Sequence, residues 1–198
     1  MLTSLICFLS LLATGFCLLC ERCSSTNSTC SGPPYSCPKK QKHCLIVTTE
    51  YLLGNERWMS TYKGCTRKSY CFPPSTTFTF PSQRKRRAAM CCTKPLCNRG
   101  TVKLPPMNTK PNGLLCSGCF SKQSMCKPTE TLKCHGKESK CIYYDMSVQQ
   151  GDQVYTFAKR GCGTKFACLN KPYIGGIPGL FVEMMKTAQC TLPARGFT

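Results

Sequence analysis

The cysteine spacing constrains this chain more than any other feature. From Cys20 the first half reads Cys20-x2-Cys23-x6-Cys30-x6-Cys37-x6-Cys44-x20-Cys65-x5-Cys71-x19-Cys91. The second half repeats it as Cys116-x2-Cys119-x6-Cys126-x7-Cys134-x6-Cys141-x20-Cys162-x5-Cys168-x21-Cys190. Eight cysteines therefore align at an offset of 96 to 99 residues, and Lys63-Gly64-Cys65 is echoed by Arg160-Gly161-Cys162. Seven spacings that agree to within two residues mark a tandem duplication of one small domain. The copies differ at their ends. The first adds Cys92 and Cys97 in Cys91-Cys92-Thr93-Lys94-Pro95-Leu96-Cys97-Asn98, and the residues after Cys190 hold no counterpart. The first domain thus carries ten cysteines, the second eight, and all can pair.

Such small units bury little apolar surface and need covalent staples. With 20 cysteines in 198 residues the chain reads as a disulfide scaffold of an oxidising compartment. Residues 2–19 contain no charged side chain and form an apolar leader of the secretory type. Cleavage after Cys17 would remove Cys7 and Cys17, leaving an even set of 18 and a mature chain starting at Leu18. The expected organisation is a signal peptide at 1–17, a first domain at 18–98, a linker at 99–115 and a second domain at 116–198. Pro, Gly and polar residues between Arg99 and Gly113 support the linker.

Within each unit the long interval after the fifth cysteine predicts a β-hairpin. One has β-branched and aromatic residues around Gly54-Asn55, the other around Gly151-Asp152. A helical apolar period occurs only over Phe181 to Lys186, so the fold class is all-β.

Two Cys-x2-Cys pairs, Cys20/Cys23 and Cys116/Cys119, raise zinc or thiol redox chemistry. Zinc needs thiolates and a second ligand pair at suitable spacing, and redox chemistry needs the two thiols bonded to each other. An oxidising compartment favours structural bridges instead, so no metal or cofactor is expected. The two histidines, His43 and His135, each adjoin a cysteine, and the eight carboxylates show no acid/base pairing. A non-enzymatic protein is expected.

The ten-cysteine order ending Cys-Cys-x4-Cys-Asn resembles the three-finger domain of the lymphocyte antigen-6/urokinase receptor family, a snake-toxin-like fold. That resemblance implies bridges Cys20–Cys44, Cys23–Cys30, Cys37–Cys65, Cys71–Cys91 and Cys92–Cys97 in the first domain. In the second it implies Cys116–Cys141, Cys119–Cys126, Cys134–Cys162 and Cys168–Cys190. It also implies a structural role for Asn98, whose side chain would bond local backbone. Two tandem domains, with the segment Cys134 to Cys141 and Arg160-Gly161-Cys162, look most like the gamma-type phospholipase A2 inhibitors. The same layout is similar to the amphibian sodefrin-precursor-like pheromone proteins. The resemblance therefore implies a secreted binding protein that occludes a secreted phospholipase A2 by protein–protein contact, or alternatively a secreted signalling protein. No apolar tail of the lipid-anchor kind is present in the sequence, so no membrane anchor is expected.

Charge adds a partner class. With 27 Lys and Arg against 8 Asp and Glu the chain carries +19. This favours an acidic protein, a glycosaminoglycan or another anionic surface. Nucleic acid is not expected of a secreted chain without a recognisable motif. The densest basic run, Arg84-Lys85-Arg86-Arg87, reads as a solvated loop tip on the third finger of the first domain. The alternatives are an anion-binding patch and a proprotein-convertase site. The matching finger of the second domain is apolar, with Tyr173, Ile177, Phe181 and Met184 either covering the small core or contacting a partner or a second subunit. Asn27-Ser28-Thr29 is an N-glycosylation acceptor in the Cys23–Cys30 loop.

Overall fold

The computed structural model describes residues 17–169, 173–177 and 181–196, with the backbone alone described at 169, 173–177 and 181. Of the leader reading, residues 1–17, all but Cys17 lie outside the described residues. Cys17 is exposed and is the free cysteine among them.

The chain is built almost wholly of strands. The first domain holds β1 (Leu19–Glu21), β2 (Cys23–Ser25), β3 (Pro34–Ser36), β4 (His43–Leu53), β5 (Glu56–Thr66), β6 (Ser75–Phe80) and β7 (Gln83–Cys92). The second holds β8 (Pro111–Ser121), β9 (Glu130–His135), β10 (Glu138–Gln150), β11 (Gln153–Thr164), β12 (Tyr173–Ile177), β13 (Phe181–Thr191) and β14 (Ala194–Arg195). Short 3-10 turns at Lys68–Tyr70 and Lys165–Leu169 lead into the third finger of each domain.

Both long hairpins turn where the sequence places them. Leu53 pairs with Glu56 across Gly54-Asn55, and Gln150 pairs with Gln153 across Gly151-Asp152. Gly54 and Gly151 both have φ +58°, a left-handed conformation that a tight two-residue turn needs and glycine adopts without strain.

Each domain is closed by bridges at its base. The first contains Cys20–Cys44, Cys23–Cys30, Cys37–Cys65, Cys71–Cys91 and Cys92–Cys97. The second contains Cys116–Cys141, Cys119–Cys126, Cys134–Cys162 and Cys168–Cys190. Neighbouring bridges pack against each other, with Cys20 Sγ 3.1 Å from Cys37 Sγ and Cys116 Sγ 3.5 Å from Cys134 Sγ. Each bridge restricts the unfolded chain by roughly 2–4 kcal/mol, which offsets the thin core of so short a domain.

The two domains share a sheet. Its strand order runs β12-β13-β10-β11-β6-β7-β4-β5-β2, so β6 of the first domain joins the edge of β11. The junction pairs Cys162 with Thr79 and Gly163 with Phe78. Gly161 makes this approach possible. A Cβ there would collide with the Thr79 carbonyl oxygen and sit 2.9 Å from the Phe80 ring. The largest apolar core lies across the same junction, where Phe78 and Phe80 meet Ile142, Tyr144, Met146, Ala167 and Met185.

Three expectations need correction. Arg84-Lys85-Arg86-Arg87 is not a loop tip. It lies inside β7, hydrogen-bonded to β4 on one side and β6 on the other. A protease must draw its substrate out as a free extended segment, and a doubly paired central strand does not offer one. Phe181 to Lys186 is not helical, because it forms the start of β13 against β10 and β12. The linker is shorter than 99–115, since β8 begins at Pro111 and pairs there with His135.

Candidate binding surfaces

Alternation along β7 divides the basic run between two faces of the sheet. Arg84 and Arg86 point to the linker side. Arg86 Nη1 donates to the Pro105 carbonyl at 2.7 Å, and Arg84 Nη2 donates to the Asn108 carbonyl. Arg86 also grips the buried Glu50 carboxylate through Nε and Nη2, and Arg57 reaches the same carboxylate from the surface. Burial pushes the Glu50 carboxyl up, but these two guanidiniums outweigh it and hold the group below its ordinary value. The run thus straps the linker onto the first domain.

Lys85 and Arg87 point the other way, onto the face that carries the shared core. Lys85 stands opposite Tyr51 and Phe78, and Arg87 opposite Thr49 and Thr76. Lys159 of β11 stands opposite Tyr144 on the same face. All three cations are more than nine-tenths buried. Their heads lie over rings: Lys159 Nζ is 4.3 Å from the Phe80 centroid, Lys85 Nζ 4.8 Å from Tyr51, and the Arg87 guanidinium 4.4 Å from Phe72. Such contacts stabilise a cation by about 0.5–2 kcal/mol each.

Some of the exposed apolar side chains lie by the hairpin tips. Leu53 and Trp58 flank the β4–β5 turn, and Val154 and Tyr155 flank the β10–β11 turn. Trp58 is about half exposed and stacks flat on Tyr51 at 3.9 Å. An aromatic held rigid by stacking loses little side-chain freedom on binding, which suits it to anchor a partner.

The base of each domain offers no metal ligand set of the usual kind. The sulfurs of Cys20, Cys37 and Cys65 cluster, as do those of Cys116, Cys134 and Cys162, but every one belongs to a disulfide. Zinc binds thiolates, and a disulfide sulfur has no such charge. His135 sits by the domain junction, where its Nδ1 is 3.5 Å from Thr79 Oγ1. Glu138 accepts from Thr79 Oγ1 at 3.1 Å and from the His135 amide at 3.0 Å. Burial raises the Glu138 carboxyl above its ordinary value against the pull of these bonds. The arrangement joins the two domains.

Asn98 is fully buried and bonds backbone far away in sequence. Its Nδ2 donates to Glu21 O at 2.9 Å and Leu45 O at 3.1 Å, while its Oδ1 accepts from Glu21 N at 2.9 Å. The expectation of local backbone bonding is corrected accordingly: the side chain ties the end of the domain to β1 and β4. Asn27 lies in the exposed Cys23–Cys30 loop, where its carbonyl accepts from Thr61 Oγ1. Met184 is half-buried in β13 opposite Ser147, and the side chains of Tyr173, Ile177 and Phe181 lie outside the described residues.

Sequence reasoning missed Lys159, Lys63 and the hairpin-tip aromatics. A signal for Lys159 exists: Tyr155, Phe157, Lys159 and Gly161 fall on one face of a strand, so this lysine is in phase with aromatic residues.

A u-PAR/Ly-6 domain model matches residues 17–100 and again 112–191. The chain is similar to phospholipase A2 inhibitor NAI of Notechis ater, 27% identical over 170 residues and 81% of each chain. Similarity to a phospholipase A2 inhibitor gamma subunit of Elaphe quadrivirgata is 28% over 167 residues and 82% of each chain. Protein RoBo-1 of Rattus norvegicus is 32% identical over 78 residues, 39% of this chain and 32% of that one. Among solved structures, mouse TEX101 aligns over 90% of this chain and 98% of its own at 15% identity and a TM-score of 0.35.

Proposed function

The chain belongs to the u-PAR/Ly-6 domain family, and from that premise we propose that it is a secreted, non-enzymatic protein that inhibits a secreted phospholipase A2 by binding and covering it. The observation that carries this reading is the two-domain similarity to named phospholipase A2 inhibitors along about four-fifths of both chains. Further support comes from the bridge-stapled cores, which belong in an oxidising compartment. Among the described residues no helix is long and apolar enough to cross a membrane.

The contact surface in this reading is the pair of hairpin tips, with Trp58 and Tyr155 as anchors on a chain of net charge +19. A positive field accelerates encounter with an acidic enzyme and makes the association salt-sensitive. Asn27 carries the glycan in this scheme, and loss of a mobility shift on deglycosylation of the Asn27→Gln variant checks it.

The test is to titrate purified secreted protein into a panel of acidic and basic secreted phospholipases at low and moderate salt. Stoichiometric inhibition of an acidic enzyme, weaker at moderate salt, is expected, with Trp58→Ala at least tenfold less potent. Full enzyme activity under excess protein across the panel would sink the inhibitor reading and leave a signalling role to be tried on receptor-bearing cells.

A further inference from the structure

An inhibitor acting through its hairpin tips does not use the opposite, disulfide-bound end of the first domain, and that end gathers positive charge. Six exposed cations stand there on three loops: Lys39, Lys40 and Lys42 before β4, Arg67 and Lys68 after β5, and Lys94 after β7. The sheet order β7-β4-β5 brings these loops together. His43 at the start of β4 pairs with Thr66 at the end of β5, and Cys44 pairs with Cys92 at the end of β7. Adjacent strands lie about 4.8 Å apart, so the three strand ends span roughly 10 Å. Bridges hold each loop in place: Cys37–Cys65 fastens the first to the end of β5, Cys71–Cys91 the second to β7, and Cys92–Cys97 closes the third.

The carboxylates of the first domain do not answer this charge. Residues 18–98 contain three, Glu21, Glu50 and Glu56. Glu21 is buried against Lys63, and Glu50 is buried against Arg86 and Arg57. Glu56 is exposed, but it starts the eleven-residue strand β5 at the hairpin tip. A strand of that length places it about 33 Å from Thr66. Charges are screened over about 8 Å at physiological salt, so Glu56 does not reach the cluster. The second domain attaches at Phe78 and Thr79, in the tip-ward half of β6. Among the described residues none of the six cations takes part in an ion pair. Like charges so close together raise one another's potential, and a polyanion laid across them relieves it. The bridges fix the loops beforehand, so little backbone ordering is lost on binding.

We propose that this base of the first domain binds a sulfated polysaccharide of the glycosaminoglycan class, its sulfates spread over the three loops. The choice of polysaccharide rests on the extracellular setting of the proposed function. Anionic lipid is concentrated on the cytoplasmic leaflet of a membrane, so a basic surface outside the cell meets anionic polysaccharide instead. Trp58 lies at the far end of β5 and stays uncovered. One molecule is thereby held on the matrix by its base while its tips engage a partner.

The experiment titrates a heparin oligosaccharide into the full, unreduced protein by calorimetry at near-physiological salt. Desulfated heparin and phosphatidylserine vesicles run in parallel, and each should bind about tenfold more weakly or less. Replacing Lys40→Ser, Lys42→Ser and Lys68→Ser together should weaken heparin about tenfold or more, while Arg at the same three positions should stay within about threefold of the parent. The control removes equal charge from exposed positions of the second domain, Lys122→Ser, Lys127→Ser and Lys133→Ser, and should also stay within about threefold. Failure of the parent protein to bind heparin overturns the proposal. Equal losses in the two Ser sets overturn it as well, because net charge alone would then account for binding. Vesicles bound as tightly as heparin would assign the surface to lipid and overturn it equally. Heparin binding in a protein without phospholipase inhibition upholds this site and removes the inhibitor reading, and inhibition without heparin binding does the reverse.

Discussion

The two copies of the repeat close their ends by different chemistry. In the first domain Glu21 and Lys63 form a buried ion pair at 2.7 Å, with Ser31 Oγ and the Gly32 amide also donating to the carboxylate. Asn98 then ties the backbone of β1 to β4, and Cys92–Cys97 staples the segment that carries it. In the second domain Ser117 stands where Glu21 stands in the first, and Arg160 where Lys63 does. Arg160 donates to the Cys126 carbonyl at 3.3 Å and lies 4.4 Å from the Tyr143 ring. The chain after Cys190 contributes β14, which pairs with β8 through Ala194 and Arg195. One duplicated frame therefore supports a polar lock in one copy and a stacked, partly solvated cation in the other. The bridges specify the frame, which leaves the remaining base positions free to diverge.

The ion pair offers the sharpest way to break this comparison. Lys63→Met leaves the Glu21 carboxylate buried without its counter-charge and should cost about 3–5 kcal/mol. Arg160→Met should cost only about 1–2 kcal/mol, since it removes one hydrogen bond and one ring contact. Chemical unfolding followed by the fluorescence of Trp58, the single tryptophan, reads the first domain directly. Equal losses in the two variants would show that both domains depend on one kind of lock.

Asn98→Ala should rank next. It strands the Glu21 amide and two carbonyls in the interior, for a loss of about 2–3 kcal/mol. Faster hydrogen exchange at Glu21, with unchanged exchange across β10–β13, would place the damage in the first domain alone.

The repeated glycine sharpens the contrast further. Gly64 and Gly161 occupy equivalent positions, but a Cβ at Gly64 would meet the Tyr62 hydroxyl, whereas at Gly161 it meets the Thr79 backbone of the other domain. Gly161→Ala should cost about 1–3 kcal/mol of overpacking and loosen the junction. Its solution scattering should show a more extended particle. Gly64→Ala should leave the particle dimensions unchanged.

Acid gives the smallest and most local effect. Burial pushes the Glu21 carboxyl up, yet its bonds from Lys63, Ser31 and Gly32 outweigh this and hold it below its ordinary value of 4.5. That group stabilises the fold above pH 4.5, and the stabilisation is lost as pH falls through its depressed folded value. Glu138 has the opposite sign. Its raised folded value favours the protonated form, so its contribution is present below pH 4.5 and lost as pH rises through that folded value. Unfolding from pH 3 to 6 should therefore flatten at its low end in Glu21→Gln and at its high end in Glu138→Gln. Identical slopes in both variants would contradict the opposed signs.

Much of the fold was legible because its signals are local or periodic. Cysteine intervals exposed the duplication, and Gly54-Asn55 and Gly151-Asp152 located the hairpins. The candidate surfaces were less so. Four consecutive cations look like a solvated loop in one dimension. In a strand with neighbours on both sides they must alternate, placing two on the linker side and two in the domain junction. The apolar period of Phe181 to Lys186 likewise gave no warning that β10 would capture the segment as a strand. Asn98 carried a family signature, but not the identity of the strands it holds.

By itself the sequence determined the two stapled all-β domains, since cysteine order and turn residues act through the nearby chain and its closure entropy. Only the tertiary structure decided that β6 would meet β11 and bring Lys85, Arg87 and Lys159 together over shared aromatic walls. That outcome depends on how closely two backbones approach across a glycine, a distance between residues some eighty positions apart that no spacing along the chain encodes.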